Sequence, residues 1–156
     1  MSDWHANWAW GMPLIIINVV IHVLGLGFID ERILQVLPAV NQRHFTRVFA
    51  VVMAVVALLA TILHGIEGMV WAAAYRLLDA LPDTHSAVLY SLSAITTYGH
   101  ANIVLEPQWQ LLGALEALNG ILLFGLTTVF MFAMIQQVWP LGSRIHPRIH
   151  HNITGC

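Results

Sequence analysis

Residues 86–108 read SAVLYSLSAITTYGHANIVLEPQ, and this stretch decides the fold because its apolar part is too short to cross a bilayer. The apolar run covers only residues 87–95, whereas a spanning helix needs about 20 residues. Asp83 and Thr84 precede the run in N-cap position, so a short helix is predicted to start near His85. The polar residues that follow indicate either a pore loop, enclosed by protein or water, or an amphipathic loop on the membrane surface. Spacing alone leaves both interpretations open.

Three longer apolar segments surround this stretch and predict membrane-spanning helices. Apolar residues make up 58% of the 156-residue chain and charged residues only 9%, against about 25% charged residues in soluble domains. A net charge of -2 and the absence of lysine give no electrostatic footprint for nucleic acid. The composition predicts an all-α protein in lipid. The predicted spans are Trp8–Ile29, Val48–Tyr75 and Leu111–Val138.

The arginines are distributed unevenly, which predicts an orientation. Arg43 and Arg47 lie between the first two spans, and Arg144 and Arg148 follow the third. By the positive-inside rule these segments face the cytoplasm, so the N-terminus is expected outside and the C-terminus inside. The other connections carry mainly acidic residues: Asp3, Asp79, Asp83 and Glu106.

Two sequence motifs resemble the potassium channel superfamily. Residues 93–100, Ser-Ala-Ile-Thr-Thr-Tyr-Gly-His, resemble the helix end and Thr-Val-Gly-Tyr-Gly-Asp filter of those channels. Residues 120–128, Gly-Ile-Leu-Leu-Phe-Gly-Leu-Thr-Thr, resemble the inner helix of small bacterial members. The resemblance extends over about residues 50–138 and leaves the first span as an addition. It departs from the family in the filter, which looks one residue short before Tyr98, and in His100, which replaces an acidic residue.

The resemblance implies a homotetramer in the bacterial plasma membrane that conducts monovalent cations, above all potassium. The altered filter makes weak selectivity plausible, because filter carbonyls replace the hydration shell of the ion. No cofactor, resident metal or enzymatic activity is expected. The implied domains are an N-terminal helix and linker (1–47), a pore domain (48–139) and a cytoplasmic tail (140–156). The implied filter residues are Thr96, Thr97, Tyr98, Gly99 and His100, and the implied pore-lining or gate residues are Gly120, Ile121, Phe124, Gly125, Thr128 and Phe132.

Several polar residues lie inside the predicted spans, where ionisable groups indicate function. Glu67 and Glu116 are expected at filter depth, and both are predicted to support the filter. His64 shares a helix face with Glu67, but the sequence offers no further ligand at metal-binding spacing. The tail could bind zinc or copper, although an exposed tail without metal is the simpler interpretation. Its candidate ligands are His146, His150, His151 and Cys156.

Two functions compete with a conducting channel. One is a non-conducting regulatory or assembly subunit with a channel-like fold. The other is a haem-binding membrane protein with His22 and His64 as axial ligands, which would require the two histidines on facing helices. A ring of four His100 side chains at the pore mouth would make current sensitive to external acid and zinc, because histidine titrates at about pH 6.5.

Overall fold

The structure is a computed structural model, and it describes residues 2–36, 45–99 and 102–143. Four α-helices follow one another through these residues, with a short 3₁₀ turn at Pro107–Trp109 before the last. His100, the linker at 37–44 and the tail from 144 onward lie outside the described residues, together with the predictions made for them. The helices are α1 (Ser2–Val36), α2 (Phe45–Leu77), α3 (Thr84–Ile95) and α4 (Gln110–Ser143).

Three of these helices are long and apolar enough to cross a membrane, which confirms the prediction of three long apolar helices. The candidate spans are Trp4–Ile33, Thr46–Leu77 and Pro107–Gln137. Only 22–28% of each span's most apolar window is buried within the chain. Lipid or further protein must therefore cover most of their apolar surface.

α1 and α4 run parallel and in register. Near their N-terminal ends, the Leu112 amide donates to Asn7 Oδ1 (2.8 Å), and Asn7 Nδ2 donates to the Gln108 carbonyl (2.6 Å). Further along, His22 Nε2 lies 3.0 Å from Thr127 Oγ1. The first and last of these contacts join residues 105 apart in sequence, so the register does not change between them.

α2 runs antiparallel to α4, and polar contacts fix that pairing at two levels. Tyr75 donates a hydrogen bond to Glu116. About half a membrane thickness further along the two helices, His64 forms a hydrogen bond with Thr127. The space around the first pair is filled by an apolar cluster of residues from all the helices and from the loops that flank α3. Its largest members that are fully buried are Trp71, Tyr75 and Leu112.

The short helix α3 forms where the sequence predicts it, because both of its ends are capped. Asp83 has extended backbone (φ -143°), and its carboxylate accepts hydrogen bonds from the amide (2.9 Å) and hydroxyl (2.7 Å) of Ser86. The hydrogen bond from the Ser86 amide holds the pKa of Asp83 below its ordinary value of 3.8. α3 packs between α2 and α4, with Ser91 Oγ donating to the Gly68 carbonyl of α2 (2.6 Å).

Candidate functional site

The backbone after α3 coils into a tight turn at Thr96–Gly99. The Thr97 amide donates to the Ala94 carbonyl (2.9 Å), and the Gly99 amide donates to the Ser93 carbonyl (3.2 Å). These bonds continue from the end of the helix, as in common helix C-caps. In the single chain the segment that follows α3 is therefore a hydrogen-bonded turn.

Two residues of this turn have left-handed backbone: Thr97 (φ 58°) and Gly99 (φ 75°). A β-branched residue in this region is a true outlier, whereas glycine adopts it freely. The two positions are two residues apart, like the glycines of a Gly-Tyr-Gly motif. Thr97 thus stands at the position that the first glycine has in such a motif, and a glycine-to-threonine replacement is an alternative to a filter that is one residue short.

Gly120 of α4 supports the start of this turn. A Cβ atom at Gly120 would overlap the carbonyl oxygen of Ile95, and it would lie only 2.7 Å from the carbonyl carbon. The close approach of α4 to the last residue of α3 therefore requires glycine here. Gly120 was predicted to line the pore, but in this chain it is buried against α3.

The other residues predicted to line the pore are exposed along α4. Phe124 also contacts α2, since its ring stacks on the His64 ring with centroids 4.3 Å apart. Whether this face lines a pore depends on other subunits, so the assignment remains a prediction. The exposed residues are Ile121, Phe124, Gly125, Thr128 and Phe132.

Glu116 joins three helices at the level of α3. Its carboxylate is fully buried, and Tyr75 of α2 donates to Oε2 (2.6 Å). Ser91 of α3 donates to Oε1. Because both carboxylate oxygens are satisfied by residues of other helices, Glu116 fixes α3 relative to α2 and α4.

Glu67 has different partners from those predicted. Its carboxylate lies 2.7 Å from Nδ1 of His22 in α1 and 3.1 Å from Nδ1 of His64. Both nitrogens belong to helices other than α3, so the predicted role in supporting the filter is not what these contacts indicate. The first helix supplies the third member of a buried group of His22, His64 and Glu67. Sequence spacing could not reveal it, because His22 approaches only through helix packing.

The two histidines do lie on facing helices, as a haem site would require, but they are too close together. Their ring centroids are 5.0 Å apart, and the Glu67 carboxylate contacts both rings. A haem held by two axial histidines lies between them. This geometry leaves no room for a macrocycle and disfavours the haem interpretation.

Part of the chain matches a known protein family. Residues 63–137, from the middle of α2 through α3 and into α4, match a family model described as ion channel. This match supports membership of the potassium channel superfamily. Searches of curated proteins and of solved structures gave no significant match to this chain.

The family match and the three apolar helices support a multi-pass membrane protein. The matched segment contains the turn at Thr96–Gly99 and the bond between Ser91 and Glu116. It begins in the middle of α2 and excludes α1 entirely. The first helix is therefore outside the part of the chain that the family model describes.

Sequence reasoning missed several polar residues of the interior. Tyr75 and Ser91 were not singled out, although each donates to Glu116. Asn18 was predicted to hydrogen-bond another helix, but its side chain is fully buried and has no hydrogen-bond partner among the described residues; the same holds for the polar side-chain atoms of Trp71 and Asn119, which sequence reasoning did not single out. By the register of α1, α2 and α4, these three lie between the Glu116 contacts and the His22 group. Polar residues in otherwise apolar spans were the available signal.

Proposed function

We propose that four copies of this chain form a cation channel whose filter comprises residues 96–100. The observation that carries the proposal is the position of α3 and its terminal turn. Ser91 bonds to Gly68, which lies nine residues before the end of α2 at Leu77. At a rise of 1.5 Å per residue, this level is about 14 Å along α2 from its end. If Leu77 lies at the outer edge of the bilayer core, which is about 30 Å thick, Ser91 of α3 lies near the middle of that core.

A turn at this depth would be surrounded by lipid unless other subunits or water enclose it. Tyr98 is 85% exposed in the single chain, and Thr96, Thr97 and Gly99 are exposed beside it. Identical chains commonly close such surfaces by cyclic symmetry. The family resemblance makes the ring a tetramer, and the exposed residues of α4 would then line the path below the filter.

The chemistry of the turn suits monovalent cations. Hydroxyl and carbonyl oxygens of Thr96 and Thr97, with the carbonyls of Tyr98 and Gly99, can replace water around an ion. The threonine in the first glycine position restricts the backbone and is expected to weaken discrimination between potassium and sodium. Through its hydrogen bond with Ser91, Glu116 would hold α3 in place, and α3 in turn positions this turn.

We place the N-terminus outside and the C-terminus in the cytoplasm of a bacterial plasma membrane, in contact with its lipids. The arginine distribution motivates this orientation. The parallel packing of α1 and α4 supports it, because both helices must then start on the outer side.

One observation favours the alternative of a non-conducting subunit. The turn is closed by hydrogen bonds in the single chain, from the Thr97 amide to Ala94 and from the Gly99 amide to Ser93. These bonds fold the turn back onto α3, whereas a conducting ring would require the carbonyls of residues 96–99 to face a common axis. Ion flux therefore distinguishes the two functions.

The test is potassium flux into liposomes that contain the purified protein, with Gly99→Ala and Gly27→Ala as matched variants. Gly99 has φ 75°, so alanine there is strained, whereas a Cβ at Gly27 in α1 meets no atom within 4 Å. We expect flux in the wild type and in Gly27→Ala, and loss of flux in Gly99→Ala. Absence of flux in a tetrameric wild type would favour the non-conducting subunit, and equal flux in all three would remove the turn from the filter.

A further inference from the structure

The strongest unexplained feature lies outside the proposed filter, where α1 meets α2 and α4. His22, His64 and Glu67 are all buried, and one donor atom from each lies within 4.8 Å of the others. We propose that these three side chains form a binding site for a divalent transition metal, Zn²⁺, that clamps α1 to α2. This site goes beyond the proposed conduction and does not depend on it. It also departs from the expectation, drawn from sequence, that the chain holds no metal.

The donor atoms converge on one point. Glu67 Oε1 lies 2.7 Å from His22 Nδ1, and Glu67 Oε2 lies 3.1 Å from His64 Nδ1. In a tetrahedral zinc site with bonds of about 2.0–2.1 Å, neighbouring donors are about 3.3 Å apart. Small side-chain movements would bring the three donors to that separation. Two imidazoles and one carboxylate are a usual zinc ligand set with a fourth position left for water.

Two of these atoms have no hydrogen-bond partner. His64 Nδ1 and Glu67 Oε2 are both buried, and although they are only 3.1 Å apart, they are not aligned for a hydrogen bond. A protonated His64 would attract Glu67 at this distance, but neither buried atom would then have a well-formed hydrogen bond. A metal between the two atoms would ligate both of them, and this favours a metal at the site.

The remaining ring nitrogens are arranged as a metal site requires. His22 Nε2 and His64 Nε2 lie 3.0 and 3.1 Å from the same atom, Thr127 Oγ1. If both Nδ1 atoms bind the metal, both Nε2 atoms carry hydrogen and donate. A hydroxyl oxygen has two lone pairs and can accept both bonds. Thr127 is thus a positioning residue, which orients the two imidazoles as outer partners of metal ligands commonly do.

The site would connect α1 to the helix that the proposed function places at the pore. His64 stacks on Phe124 of α4, one turn before Thr127. A metal that fixes His64 would therefore also restrict Phe124. The first helix, which the family model does not include, would gain a role as the provider of one ligand.

The test measures Zn²⁺ bound per chain by the full-length protein, purified in detergent without a histidine tag and first stripped with chelator. The reference protein carries His100→Asn and alanine at His146, His150 and His151, so that these histidines do not contribute, whereas Cys156 is kept and is tested by spectroscopy. We expect one Zn²⁺ per chain in the reference protein and none after Glu67→Gln is added. Equal zinc content in the two proteins, or no zinc in either at micromolar concentration, would overturn the proposal.

A second pair of variants keeps the three ligands and tests the role of Thr127. Thr127→Val removes the hydroxyl and should weaken zinc affinity about 10–100-fold, as loss of an outer partner does. Thr127→Ser should restore it. The zinc-edge X-ray absorption spectrum of the reference protein should contain two imidazole nitrogens at about 2.0–2.1 Å and no sulfur. Equal affinities in both variants, or a sulfur ligand from Cys156, would count against the site.

Discussion

The close approach of Gly120 to Ile95 gives the sharpest test of the packing below the turn. In Gly120→Ala, the added methyl group would overlap the Ile95 carbonyl oxygen and lie 2.7 Å and 3.0 Å from the carbonyl carbon and Cα. These are backbone atoms at the end of a helix, so they cannot rotate away as a side chain would. α3 must move away from α4, and the start of the turn must move with it.

The magnitude follows from known costs of overpacking. Inserting a methyl group into a packed site costs about 1–3 kcal/mol. Gly125→Ala in the same helix is the matched control, since a Cβ there meets no atom within 4 Å. Alanine is favoured over glycine in a helix by about 0.8–1.0 kcal/mol, so the control should be neutral or slightly stabilised. Because the same propensity gain applies to both positions of α4, the two variants should differ by the overpacking cost, about 1–3 kcal/mol.

The assay is unfolding of both variants in the same detergent, followed by potassium flux after reconstitution. We expect Gly120→Ala to unfold more easily and to lose flux, and Gly125→Ala to keep the fold. If Gly120→Ala is as stable and as conductive as Gly125→Ala, the contact between α4 and the end of α3 is not important for the site.

Three further predictions follow from single contacts. Thr97→Gly removes left-handed backbone strain of about 1–2 kcal/mol, which is partly offset by the entropy cost of glycine. The free energy of unfolding should therefore rise. Reversal potentials should also show a stronger preference for potassium. A fall in stability would contradict this. Tyr75→Phe leaves Glu116 Oε2 without its donor and should lower the free energy of unfolding in detergent by about 1–3 kcal/mol. No change would mean that this hydrogen bond does not contribute to stability. Asp83→Ala should destabilise α3, whereas Asp83→Asn should not. Since the pKa of Asp83 is depressed, its cap is complete above pH 3.8 and is lost as pH falls through the lower value. Acid unfolding that is identical in the wild type and Asp83→Asn would exclude that contribution.

Much of the fold could be predicted from sequence because it depends on local patterns. Three long apolar runs separated by polar residues specify three long helices. Asp83 and the short run after it specify α3, whose observed start at Thr84 is one residue from the prediction. The family was visible in two ordered motifs, at Thr96–His100 and Gly120–Thr128, and the family match agrees with that interpretation.

The partners of buried polar residues could not be predicted, since they depend on helix register. Glu67 and Glu116 look alike in the sequence, yet Glu67 contacts histidines of α1 and α2, whereas Glu116 accepts hydrogen bonds from Tyr75 and Ser91. The role of Gly120 likewise depends on how closely α4 approaches Ile95. The backbone of Thr97 was hidden for another reason, because threonine rarely adopts a left-handed conformation and no local rule would assign it one.

The central claim is that this chain forms a cation-conducting pore, and a bi-ionic reversal potential tests it most directly. The reconstituted wild type is placed between potassium on one side and sodium on the other. We predict measurable current that reverses at a potential slightly displaced from zero in favour of potassium, because Thr97 replaces a glycine in the filter. The absence of cation current from a correctly assembled protein would contradict the account.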